Sequence, residues 1–128
     1  MPDRPLILVD PHPRPISLIF DAATKARLEG LGEVVWYEES GPAPEEWVER
    51  FLPRADAIIG QTALSAERLE RAPRLKAVFN VEGNFLPNID YERAHARGVR
   101  VLGTGPVFAQ PVAEMSLGMA AFPGAAYA

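Results

Sequence analysis

The chain contains no cysteine among its 128 residues. That excludes disulfides, thiolate nucleophiles and thiolate metal sites, and it suits a reducing, cytoplasmic setting. It also has no apolar run near the roughly 20 residues that a membrane helix needs. Its opening, MPDRPLILVD, lacks the long apolar core of a secretory signal. A positive excess is missing too: 13 Lys and Arg stand against 17 Asp and Glu, for a net charge of −4. Neither nucleic acid nor an anionic membrane is therefore an expected partner. Internal repeats and low-complexity tracts are absent as well.

What is present is enough apolar residue, 48%, to build one core. PLILVD, residues 5–10, is a short apolar run that predicts a strand buried on both faces. A proline-rich loop, PHPRP, follows. The next helix is expected to start at Ser17 or Asp21, to carry Phe20, Leu28 and Leu31 on one face, and to stop at Gly32. A second strand covers 33–38. Pro44 then opens a helix whose Trp47, Val48, Phe51 and Leu52 share a face, and Pro53 closes it.

The third strand is 57–62. Ser65 caps the helix after it, with Leu64 and Leu69 placed as a hydrophobic staple. The fourth strand is 76–81. Asp90 caps a short helix ending at Gly98, the fifth strand is 99–103, and a last helix runs from about Pro111 toward Phe122. Strand and helix alternate five times. This predicts a flavodoxin-like three-layer α/β/α fold with a five-stranded parallel sheet in the order 2-1-3-4-5. Ligands on such sheets bind beyond the carboxyl ends of the strands. The loops of interest are thus 10–15, 61–64, 81–88 and 104–110.

VLGTGPVFAQPVAE, residues 101–114, looks at first like a dinucleotide loop. Phe108 stands where the third glycine should be, Pro106 removes a backbone donor, and the stretch follows the last strand rather than the first. It reads better as a tight strand-to-helix turn. In NVEGNFLPNID, residues 80–90, Gly83 would let backbone N–H groups form a small nest for a carboxylate, although Glu82 lies beside it; an ordinary turn-rich loop fits the spacing as well. His12 lies in a strand-end loop. His95 lies on a short helix between Arg93 and Arg97 and reads as solvated. Neither belongs to a metal motif. The last helix is apolar all round, with Val112, Ala113, Met115, Leu117 and Met119, so a sheet would cover only one side of it. Self-association through that helix is the expectation.

Residues 75–119 resemble the D-isomer-specific 2-hydroxyacid dehydrogenases. Leu75 and Lys76 open the pattern, Gly83 supplies the loop glycine, and Asn88, Ile89 and Asp90 spell the N-I-D. Gly98 and Val99, then Pro106, and finally Val112, Ala113 and Glu114 complete it. The resemblance implies that residues 1–128 form one flavodoxin-like substrate-binding domain, cut before the dinucleotide-binding domain. It implies a small 2-oxo or 2-hydroxy acid held by Val81, Glu82, Gly83 and Asn84, with Thr62 facing the same cleft. Val112 would approach the cofactor, NAD or NADP, which the whole protein would use and this chain alone would not hold. No residue matches the family's catalytic Arg, Glu and His, so inactivity alone is implied. A reading from a different class is a free-standing flavodoxin-like module that binds a small anion or a protein partner. An FMN-binding flavodoxin and a receiver domain fit less well, because PHPRP is not a phosphate loop and the first strand lacks an acidic cluster.

Overall fold

The computed structural model describes residues 4–81 and 87–103. Five strands form one sheet: β1 (Leu6–Asp10), β2 (Glu33–Trp36), β3 (Ala57–Gly60), β4 (Ala77–Phe79) and β5 (Arg100–Leu102). All neighbours run parallel, in the order β2-β1-β3-β4-β5. The expected flavodoxin-like α/β fold is the fold observed. β1 lies inside the sheet, paired on both edges, and every one of its five residues is buried. A strand in that position touches no water on either face, which is why its sequence is a continuous apolar run.

The strands are shorter than their apolar runs. Gln61 and Thr62 lie beyond β3, and Asn80 and Val81 lie beyond β4. At those points the backbone leaves the ladder and turns toward the next helix.

The helices are α1 (Ile16–Ile19), α2 (Ala22–Leu31), α3 (Glu45–Phe51), α4 (Ala66–Glu70) and α5 (Tyr91–Ala96), with a 3-10 turn at Leu52–Arg54 after α3. The single helix expected from Ser17 or Asp21 is two helices. Phe20 adopts extended backbone between them, at φ −127° and ψ 130°. Asp21 then caps α2 by accepting a 2.7 Å bond from Thr24 N, and hydrogen bonds from the Thr24 side chain first, and then from its backbone N–H, hold the Asp21 carboxyl below the ordinary range. The apolar face expected on that helix is also corrected. Nothing in α2 is buried, and Leu31 is 69% exposed. Phe20 instead packs edge-on against Trp36, with Lys25 above the same indole. Gly32 ends α2, but with φ −168° rather than in a left-handed cap. Its constraint is space, since a Cβ would stand 2.5 Å from Pro5 O.

The remaining caps follow the sequence. Ser65 accepts from Arg68 N, and Asp90 accepts from Arg93 N. Gly98 closes α5 with φ +76°, the left-handed conformation that favours glycine. The core joins alternate residues of the strands, Leu8, Ile58 and Val78, to Leu52, Leu69 and Ala94 from the helices. Trp47 and Phe51 flank it. On α3, Glu49 accepts from Arg68 and from both nitrogen positions of Arg71, at 2.8–2.9 Å. This fork ties α3 to the end of α4. The last helix and its expected self-association lie outside the described residues.

Two outcomes test this packing. Gly60 has φ +143°, and a Cβ there would lie 1.9 Å from Asp10 O. Gly60→Ala should destabilise the fold by about 3 kcal/mol or more in urea unfolding, whereas Gly30→Ala, in open space on α2, should stabilise it by about 0.5–1 kcal/mol. The Arg71 and Arg68 bonds hold the Glu49 pKa at about 2, below its ordinary 4.5. A depressed carboxyl stabilises fully above its unfolded pKa and loses that contribution as pH falls through its folded one. Stability measured between pH 4.5 and pH 2 should therefore fall less steeply in Glu49→Gln, which at neutral pH should cost about 1 kcal/mol.

Candidate functional site

The carboxyl ends of β1, β3 and β4 converge on a polar cluster. β1 ends in Asp10, an acid only 5% exposed. Its Oδ2 accepts a 2.7 Å bond from the Thr62 hydroxyl, and its Oδ1 accepts from Ala43 N at 3.3 Å. Asp10 pairs with Gly60 in the ladder. The absent side chain at Gly60 lets the two backbones approach, and Thr62 arrives two residues later with its hydroxyl against the carboxylate. A buried carboxylate needs such donors, because desolvation without them would be costly.

The loop after β3 is also fastened to the segment at 88–90. Leu64 N donates to Asn88 O at 2.7 Å, and Asp90 N donates to Leu64 O at 2.9 Å. This isolated parallel bridge between Leu64 and Ile89 buries both side chains. It brings Asn88 Nδ2 to Thr62 O at 3.2 Å. From the other side, Gln61 Oε1 accepts from Val81 N at 2.8 Å. The ends of β3 and β4 are thereby linked by side-chain amides on both flanks.

Asn80 stands at the centre of this arrangement. Its backbone N donates to Leu102 O at 2.7 Å, extending the sheet by one bond. Its side chain is 1% exposed, yet neither Nδ2 nor Oδ1 has a partner among the described residues, and neither does Asn88 Oδ1. Buried amides are normally satisfied, so groups like these mark a place where a water or a ligand supplies the missing bonds. Carboxamides and hydroxyls at this edge hold and orient polar groups. They do not ionise near neutral pH.

Beside it, a cleft of about 410 Å³ opens at the switch point between β1 and β3, lined by Asp10, Ala43, Gln61, Thr62 and Arg68 among others. This is where open parallel sheets hold ligands. The Arg68 side chain is 14% exposed and is spent on Glu49 and on Ala63 O. A smaller hollow of about 300 Å³ lies between the proline-rich loop after β1 and residues 37–41. No group of His, Asp and Glu among the described residues could hold a metal ion. No helix there is long and apolar enough to cross a membrane.

Of the site residues expected from the sequence, Thr62 and Val81 fall at this edge. The Thr62 hydroxyl is committed to Asp10, and the Val81 N–H to Gln61. Glu82, Gly83, Asn84 and Val112 lie outside the described residues. His12 and His95 are exposed and stand on separate elements. Sequence reasoning missed Asp10, Gln61 and Asn80 as site residues. The available signal was a polar residue directly at the end of an apolar strand. If Asn80 is kept for binding, removing its amide should relieve the fold. Asn80→Leu, of similar volume, should raise stability by about 1 kcal/mol in urea unfolding.

No family model matches the chain, and a search of the curated proteins finds no match. Solved structures do match. A phosphoglycerate oxidoreductase from Rhizobium etli is 44% identical over 91% of this chain and 36% of its own, with a TM-score of 0.75. An NADPH-dependent glyoxylate/hydroxypyruvate reductase from Sinorhizobium meliloti, solved with NADP and malonate, is 25% identical over 91% of this chain and 33% of its own, with a TM-score of 0.61. An NAD+-bound 3-phosphoglycerate dehydrogenase from Entamoeba histolytica, at 24% identity and a TM-score of 0.60, shares the fold over 89% of this chain and 37% of its own. The chain thus spans about a third of the length of these proteins. By its sequence motifs and by its fold, the chain belongs to the D-2-hydroxyacid dehydrogenases, as a stretch equivalent to about a third of a full-length member.

Proposed function

We propose that this chain is the substrate-binding part of an NAD(P)-dependent D-2-hydroxyacid dehydrogenase, and that alone it does not turn over. The observation that carries this reading is the 44% identity to the Rhizobium etli oxidoreductase over 91% of the chain. The amide-lined edge supports it. A 2-oxo or 2-hydroxy acid needs hydrogen-bond donors for its carboxylate, and the turn after β4 is where the family's glycine loop stands. In this reading Glu82, Gly83 and Asn84 offer backbone N–H groups to the carboxylate, and Val81, whose own N–H is held by Gln61, starts the loop that carries them. Thr62 and Gln61 brace the loop from β3. Asp10 holds the Thr62 hydroxyl, so that Thr62 positions its neighbours rather than reacting.

A nicotinamide cofactor would supply the hydride in the full-length enzyme. The described residues do not fit its pyrophosphate. The first strand-to-helix turn is PHPRP, whose three prolines offer no N–H donors, and α1 is preceded by Pro15 and spans only four residues. The cofactor's contacts in this reading come chiefly from the rest of the family's length, and the family resemblance adds Val112 from this chain.

The test uses the 128-residue chain itself. Fluorescence titration should show no micromolar binding of NADH. Amide chemical shifts of Asn80 and Val81 should respond weakly to pyruvate or malonate, and Gly83→Val should abolish the response. Micromolar NADH binding, or an unchanged acid response in Gly83→Val, would overturn the reading.

A further inference from the structure

We infer that the opposite, amino-terminal edge of the sheet carries a second anion site, which takes a small phosphate-bearing molecule. A cleft of about 450 Å³ opens there at the starts of β1, β2 and β3, lined by Arg4, Leu6, Glu33, Arg54, Asp56 and Arg74. Its volume suits a small ligand rather than a macromolecular surface. Three arginines and two acids line it. The excess continues along the edge, because Lys76 and Arg100 immediately precede or open β4 and β5. That concentration is notable in a chain of net charge −4.

The two acids do not cancel the cations. Asp56 is a structural group: its Oδ2 accepts from Leu6 N at 2.8 Å, and its carboxylate meets Arg74 at 3.4 Å. Arg4 donates to the carbonyls of Glu29 and Gly32 at the end of α2. Those bonds fix its position but bring no carboxylate to it. Arg54, on the 3-10 turn, has no hydrogen-bond or ion-pair partner among the described residues. Glu33 is exposed at the start of β2 and leaves a net positive cleft. Arg4, held by its carbonyl partners, and Arg54 line the same cleft, and their guanidinium groups suit a divalent oxyanion, since guanidinium binds phosphate through paired, charge-assisted bonds. β1 and β3 separate this cleft from Asp10 and Thr62 by about 15 Å, taking roughly 3.3 Å per residue. A ligand here would not compete for the carboxyl edge.

The full chain, isotope-labelled, should be titrated with inorganic phosphate at constant ionic strength. Sodium chloride and malonate serve as comparison anions, because exposed charges respond to screening alone. Phosphate should shift the amides of Leu6, Asp56 and Ala57 along a saturable curve and leave Asn80 and Val81 unmoved. Arg54→Glu should weaken that binding about tenfold. Arg54→Gln, which removes the charge without reversing it, should weaken it less. A linear response equal to that of chloride would overturn the inference, as would an affinity indifferent to both variants. An equal saturable response to malonate would show a carboxylate site instead. Shifts confined to Asn80 and Val81 would place the anion at the carboxyl edge and also sink the proposal.

Discussion

The close approach of β1 and β3 at Asp10 and Gly60 sets the geometry of everything at the carboxyl edge. In the ladder these two residues are partners, and the Asp10 carbonyl occupies the space where a side chain on Gly60 would be. Gly60 also carries a φ of +143°, which turns the chain out of the sheet. Two residues later, Thr62 lies back over β1 and gives its hydroxyl to the Asp10 carboxylate. A bulkier residue at 60 would move the loop outward, and the buried acid would lose its strongest donor.

From that point the fastening spreads through the amide side chains. Gln61 reaches Val81, and Asn88 reaches the Thr62 carbonyl. The Leu64–Ile89 bridge closes the circuit with backbone bonds, and its two side chains enter the core. The loop after β3 thus holds both ends of the segment between β4 and α5. The resulting shelf keeps the buried Asn80 carboxamide and the buried Oδ1 of Asn88 without a partner among the described residues. Buried polar groups of this kind cost stability when nothing answers them.

The two edges of the sheet have opposite chemistry. The carboxyl edge is lined by neutral amides and hydroxyls around one buried acid. The amino edge is lined by arginines that the fold only partly uses. A parallel sheet gathers all strand starts at one end and all strand ends at the other. Residues that are scattered in sequence, such as Arg4, Arg54 and Arg74, therefore meet without any motif to announce them.

That gathering marks the boundary of what the sequence could determine. Element order, the parallel sheet and its strand order follow from local pattern: apolar runs too short for helices, capping residues such as Ser65 and Asp90, and glycine at 98 after α5. The family followed from linked residues between Leu75 and Glu114. Local pattern failed where a distant partner intervened. Phe20 breaks the first helix and packs edge-on against Trp36, and Gly32 answers the closeness of Pro5 rather than a helical cap. The Asp10–Thr62 bond spans 52 residues, and the Gln61–Val81 bond spans 20. No periodicity encodes such pairs, because periodicity reports which face of an element is apolar. Which polar residues meet at the ends of those elements depends on strand order and register, and only the assembled sheet supplies both.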